Sequence, residues 1–92
     1  MLTIRYQSRF KRDFKRILKR GYDIHLLETV VEMLAEEKPL PPEYKDHDLQ
    51  GKHKGYRECH ITPDWLLIYE VRDDQLLLYL TRTCTHTDLF GI

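Results

Sequence analysis

The run Lys38-Pro39-Leu40-Pro41-Pro42 divides this chain into two halves whose apolar residues follow different periods. Proline fixes φ and has no amide hydrogen to donate, so no helix continues through such a run. Ahead of it the apolar positions recur at helical spacing, and after it they alternate as they do in strands.

Leu2–Gln7 sets Leu2, Ile4 and Tyr6 against Thr3, Arg5 and Gln7, the period of a half-buried opening strand. Ser8 is placed to cap a helix in which Phe10, Phe14, Ile17 and Leu18 form one stripe and which Gly21 ends. The opposite face is almost wholly basic. Asp23 can cap a second helix through Leu27, Val30, Val31 and Leu34, with Leu26 and Met33 widening the stripe. A link of about three residues makes the pair an antiparallel hairpin with both stripes turned to one sheet.

After the prolines, Tyr56–Ile61 alternates, and Thr62-Pro63-Asp64 supplies turn chemistry. Trp65–Val71 is then a nearly continuous apolar run, expected of a central strand buried on both faces. Arg72-Asp73-Asp74 connects it tightly to Gln75–Thr83. The order β-α-α-β-β-β implies an α+β fold of two layers, a helical hairpin on one face of an antiparallel-rich sheet, with the other face open for a site. With 92 residues, 41% of them apolar, residues 1–92 are expected to form one domain around one modest core.

The longest apolar stretches, Trp65–Tyr69 and Leu76–Leu80, fall far short of the roughly 20 residues that cross a bilayer. No leader pattern occurs at the N-terminus, so a cytoplasmic place and no membrane partner are expected. Cys59 and Cys84 are too few and too isolated for a disulfide framework and read as reduced, small hydrophobes of a sheet. Five histidines accompany them, but no ligand pair has the close spacing of a zinc site, so neither metal nor other cofactor is expected.

Fifteen basic residues balance fifteen acidic ones, yet residues 1–22 carry a local +7 and residues 23–37 a local −5. The local field matters more than the sum for docking a polyanion. Arg9, Arg12, Arg16, Lys19 and Arg20 on the first helix are therefore candidates for contact with RNA, the plainer reading being an ordinary solvated face.

The second half concentrates His47, His53, His60, Asp64, Trp65, Arg82 and His86. If Cys59 and Ile61 face the helices, strand parity turns His60 to the open side. The same parity puts Arg82 with Leu78 and Leu80, so either that face is partly apolar or a bulge intervenes. Histidines with an arginine and an aspartate, and no metal, suit RNA cleavage. The 2′-OH needs a base, the leaving 5′-oxygen an acid, and the phosphorane fixed positive charge. Histidine suits both proton roles, and the planar fork of arginine holds two phosphate oxygens. Trp65 or Phe90 can stack an unpaired base. The plainer alternative has the loop histidines solvated, Trp65 in the core and Arg82 paired with Asp64 or Glu58.

Three segments carry a resemblance: Tyr44-Lys45-Asp46-His47-Asp48-Leu49-Gln50-Gly51, the run from Gly55 through Arg57-Glu58-Cys59-His60 and Pro63-Asp64-Trp65 to Tyr69, and Thr81-Arg82-Thr83-Cys84-Thr85-His86-Thr87-Asp88-Leu89-Phe90-Gly91. In order and spacing they closely resemble the YafQ branch of the RelE superfamily of toxin endoribonucleases. The resemblance implies the RelE-like fold and a ribosome-dependent mRNA interferase that cuts by metal-free 2′-OH attack, with mRNA, the ribosome and its rRNA, and a cognate DinJ-type antitoxin as partners. It places the active site on His47, His60, Asp64, Arg82, His86 and Phe90, with Lys45 and Trp65 at the substrate. His47 or His60 is the expected base and His86 the expected acid. Two rivals are a ParE-like gyrase inhibitor, which lacks the RNase histidines, and a ribosome-blocking RNA binder that does not cut.

Overall fold

The computed structural model describes residues 1–90, the side chain of Phe90 excepted. The chain runs β1 (Thr3–Tyr6), α1 (Ser8–Lys19), α2 (Ile24–Ala35), β2 (His47–Asp48), β3 (Arg57–Thr62), β4 (Trp65–Arg72), β5 (Leu77–Thr85) and α3 (His86–Phe90), with short 3-10 turns at Pro42–Tyr44, Gly51–His53 and Asp73–Gln75. One mixed sheet has the order β1-β5-β4-β3-β2. Only β1 and β5 are parallel; the other neighbours are antiparallel. The helical hairpin leaves one sheet edge at β1, and the chain re-enters the sheet at the opposite edge through β2. This is the expected α+β architecture with two additions: two-residue β2, too short to show a period in the sequence, and the short helix α3 where only a tail was expected.

Both helices end in the same way. The amide of Gly21 bonds back to Leu18 and that of Tyr22 to Ile17, and likewise Glu37 bonds to Leu34 and Lys38 to Met33. This double bond pattern needs a left-handed residue at the turn, supplied by Gly21 at φ 78° and by Glu37 at φ 60°. At the N-termini the outcomes differ. Asp23 caps α2 by accepting from the His25 amide at 3.0 Å, whereas Ser8 is already helical and Gln7 takes the cap position without a side-chain bond.

The core joins Phe10 and Ile17 of α1, Leu27, Val30, Val31 and Leu34 of α2, and Cys59, Ile61, Trp65, Leu67, Tyr69, Leu78 and Leu80 of the sheet. Leu18, expected in the α1 stripe, is 44% exposed, and the buried face of α1 instead includes Asp13. Buried Leu66, Ile68 and Cys84 lie on the other side of the sheet from this core. β4 is thus apolar on both faces, as its sequence implied.

Candidate active site on the open face of the sheet

The strand register builds the site. His47 pairs with Glu58, Glu58 with Ile68, and Ile68 with Arg82, so these residues form one row across β2, β3, β4 and β5. His60, Leu66 and Cys84 form the next row. Neighbouring strands lie about 4.8 Å apart, so the first row spans about 14 Å of backbone. Its apolar floor is Leu66, Ile68 and Cys84, all buried. Burial pushes the Cys84 thiol up to about 11 and the Cys59 thiol up to about 12, so both stay protonated and inert at neutral pH.

A bulge decides where Arg82 points. Ile68 pairs with Arg82 but Tyr69 pairs with Leu80, which leaves Thr81 as an extra residue in β5. One extra residue inverts the alternation, so Leu78 and Leu80 enter the core while Arg82 stands on the open face.

The three histidines gather at one end of this face. Ring centroids of His47 and His60 are 6.5 Å apart, and those of His60 and His86 5.7 Å. His47 Nδ1 lies 2.6 Å from the Lys45 carbonyl oxygen and His60 Nδ1 3.3 Å from that of Pro63. A carbonyl only accepts, so this geometry assigns the proton to each Nδ1 and turns each Nε2 to the site. Both Nε2 atoms face one carboxylate oxygen, Glu58 Oε1, at 3.6 and 3.7 Å. His86 Nδ1 is 3.6 Å from Asp64 Oδ1. His86 opens α3 behind Thr85, whose hydroxyl accepts from the Asp88 amide while the Asp88 carboxylate accepts from the Thr85 amide, each at 3.2 Å. This is a reciprocal capping box, and its Thr-x-x-Asp spacing is the sequence signal for it.

The loop carrying His47 is pinned from below. Tyr69 donates to Asp46, and Arg57 donates to Asp46, to Asp48 and to the Tyr69 hydroxyl. Burial works against the Arg57 charge, but the bonds to Asp46 and Tyr69 outweigh it and hold the guanidinium above its ordinary range. Burial and then the bond to Asp46 raise the Tyr69 phenol. Lys45 adopts φ 48° after the Pro42–Tyr44 turn, and its carbonyl orients His47.

Arg82 is held by α1. Its Nε donates to Asp13 Oδ2 at 2.7 Å and one terminal nitrogen to Oδ1 at 3.0 Å, and this pairing raises its pKa. Neither Asp13 nor Glu58 was among the residues expected at the site. The partner of Asp13 lies 69 residues away, so no local pattern exposes it. Glu58 shares the parity of His60, which is the signal that would have found it.

Trp65 requires correction. Its ring is 1% exposed on the covered face, edge-on to Tyr22 at 5.2 Å, and Nε1 donates to Thr83 Oγ1 at 2.8 Å. It packs the core and is out of reach of a base. Phe90 closes α3, but its side chain lies outside the described residues. On α1, Arg9, Arg12 and Lys19 are exposed, whereas Arg20 grips Asp88 through two bonds of 2.8 and 3.0 Å and Arg16 lies 3.9 Å from it. His53 lies exposed in its turn, and His25 on α2 pairs loosely with Glu28 at 3.5 Å.

With this geometry in place, comparison with known proteins is informative. Residues 2–91 match the family described as "Bacterial toxin of type II toxin-antitoxin system, YafQ". The mRNA interferase toxin YafQ of Escherichia coli K12 is 45% identical over 89 residues, covering 96% of this chain and 95% of that protein. A metal-bound toxin from Helicobacter pylori superposes with a TM-score of 0.92 at 47% identity, over 98% of this chain and 100% of that one. The toxin of the E. coli DinJ-YafQ complex does so with a TM-score of 0.89 at 43% identity, over 99% and 100%. Among the described residues of this chain, no group of three or more His, Cys, Asp or Glu side chains is arranged to hold a metal ion. The whole chain and its five-stranded mixed sheet thus follow one pattern, and the chain belongs to the YafQ family of bacterial type II toxin–antitoxin toxins.

Proposed function

We propose that the open face cuts messenger RNA on the ribosome by attack of a 2′-OH on the adjacent phosphate, using side chains alone. The chain is an endoribonuclease, as its relatives named mRNA interferase are. The observation that carries the mechanism is the convergence of His47, His60 and His86 on one end of a row that closes on Arg82.

His47 or His60 takes the 2′-OH proton at Nε2. The ring becomes positive as it does so, and it faces Glu58, which compensates the new charge. The 2′-oxygen attacks phosphorus, and Arg82 binds the non-bridging oxygens through the donors that Asp13 leaves available. His86, oriented by Asp64, delivers a proton to the departing 5′-oxygen. The products are a 2′,3′-cyclic phosphate and a 5′-hydroxyl. Lys45 and Phe90 flank the substrate. The exposed cations Arg9, Arg12 and Lys19 contact ribosomal RNA, and Arg16 and Arg20 join them only to the extent that Asp88 shares them. A DinJ-type antitoxin, as in the relatives' complex, neutralises the toxin in the cytoplasm, where translated mRNA is found. A ParE-like gyrase inhibitor would have no use for the histidine cluster.

Primer extension on a reporter mRNA translated in a purified system tests this. Cuts that need ribosomes and vanish with His86→Ala are expected, with ribosome-free RNA left uncut whether or not EDTA is present. Arrest without a cut would support a ribosome-blocking binder, and cutting of free RNA that EDTA stops would overturn the metal-free scheme. Reversing Arg9, Arg12 and Lys19 should weaken ribosome binding and flatten its salt dependence, and unchanged binding would remove α1 from the interface.

A further inference from the structure

We propose that Asp13, a residue of α1 outside the histidine cluster, is the positioning residue that presents Arg82 to the scissile phosphate. The inference rests on the reading of Arg82 as the phosphate ligand and adds how that ligand is held.

Asp13 is the one acidic residue among the first 22 and is 3% exposed, in a helix otherwise studded with solvated cations. A buried carboxylate is costly unless nearby donors satisfy it. Here both oxygens are engaged. Oδ2 accepts from Arg82 Nε at 2.7 Å and from the Thr83 amide at 3.2 Å, and Oδ1 accepts from the Arg82 terminal nitrogen at 3.0 Å. Arg16 adds a more distant cation at 3.8 Å.

The Thr83 bond is explained by the sheet. β1 pairs with β5 only from Leu77 to Leu80, so among the described residues no strand lies beside the outer edge of β5 beyond the Thr81 bulge. Asp13 serves the Thr83 amide there, as Asp88 serves that of Thr85 two residues on. Capping that amide needs one oxygen. The second oxygen, and the two-point grip on the guanidinium, fix the plane of Arg82 instead. A guanidinium has five N–H donors. Asp13 occupies two on the Nε side, and two of the remaining three line the terminal edge between the Nη atoms, the arrangement that meets two phosphate oxygens side by side. Loss of this grip lets the fork swing, and a misplacement of about 1 Å at a reacting centre costs roughly 100-fold in rate.

The test is a cycle of Asp13→Asn, Arg82→Gln and the double variant, assayed for single-turnover cleavage on saturating programmed ribosomes at a temperature where each is folded, with ribosome binding measured in parallel. Asp13→Asn should slow cleavage by about 10- to 100-fold with binding unchanged. Arg82→Gln should slow it at least as much, and the double variant should match Arg82→Gln, because Asp13 acts only through Arg82. Wild-type cleavage by Asp13→Asn beside a crippled Arg82→Gln would overturn the proposal and spare the reading of Arg82. Multiplying effects would likewise overturn it. Wild-type cleavage by Arg82→Gln would remove both. If Asp13→Asn does not fold, the Arg82 Nε proton of the unmodified toxin decides by NMR: a distinct resonance, slow to exchange with water, is expected, and rapid averaging would overturn the proposal.

Discussion

The two faces of the sheet are written on alternate residues of the same strands, yet they are built on opposite plans. On the covered face Cys59, Ile61, Trp65, Leu67 and Tyr69 meet helices, and nearly every contact is apolar. On the open face, among the described residues, neither α1 nor α2 covers Leu66, Ile68 and Cys84, yet they are as fully buried as the core. There the floor shares its rows with long polar side chains, Glu58, His60 and Arg82 among them, each tied to a partner by an ion pair or hydrogen bond. A site need not be a cleft. Polar groups held on a dry, rigid floor keep their geometry because each is fixed twice, by the strand beneath and by the partner beside it.

This contrast can be broken or sharpened by substitution. The largest effect is expected from His60→Ala on the open face: a fall in single-turnover cleavage of about 100- to 10,000-fold, the usual worth of a general base, with thermal melting little changed. Cleavage near the wild-type rate would leave His47 as the base. On the covered face Phe10→Ala should cost about 3–5 kcal/mol in denaturant unfolding while each folded molecule cuts at the normal rate. Leu18→Ala in the same helix should stay within about 0.5 kcal/mol, because that side chain is 44% exposed. A large cost at Leu18 would mean that the stripe is misplaced.

Asp88→Asn, at the junction of the two plans, should cost about 1–3 kcal/mol at neutral pH through charge-assisted bonds to Arg20 and the Thr85 amide. The pair with Arg20 holds the Asp88 carboxyl well below its ordinary value of 3.8. The folded protein therefore takes up this proton only at lower pH than the unfolded chain does. The stabilisation is complete above the unfolded value and drains away as pH falls through 3.8 towards the folded one. Wild type and Asp88→Asn should thus converge in acid, which melting curves across that range will show. A gap that persists there would locate the effect elsewhere.

Much of this architecture is legible in the sequence, and the gaps have physical causes. The unbroken run from Trp65 announces a strand buried on both sides, and Cys59 and Ile61 turn His60 outward by parity alone. The helix stripe admits Leu18 on angular grounds, but the position that buries is Asp13, whose partner arrives only with tertiary structure. The same limit hid Glu58 as a shared neighbour of His47 and His60, since β2 brings His47 opposite it through two residues that have no period to read. Trp65 was open to two readings because a ring at a strand start suits either face, and its bond to Thr83 decides for the core.

Thr81 gives β5 two phases. Upstream of it Leu78 and Leu80 turn to the helices, and downstream of it Arg82 and Cys84 turn to the open face, so the two ends of one strand answer to separate constraints. If Thr81 were paired in the ladder instead of bulging from it, Arg82 would fall in the frame of Leu80, driving a guanidinium into the core. The insertion therefore acts like a spacer in a code, and no point substitution could replace it.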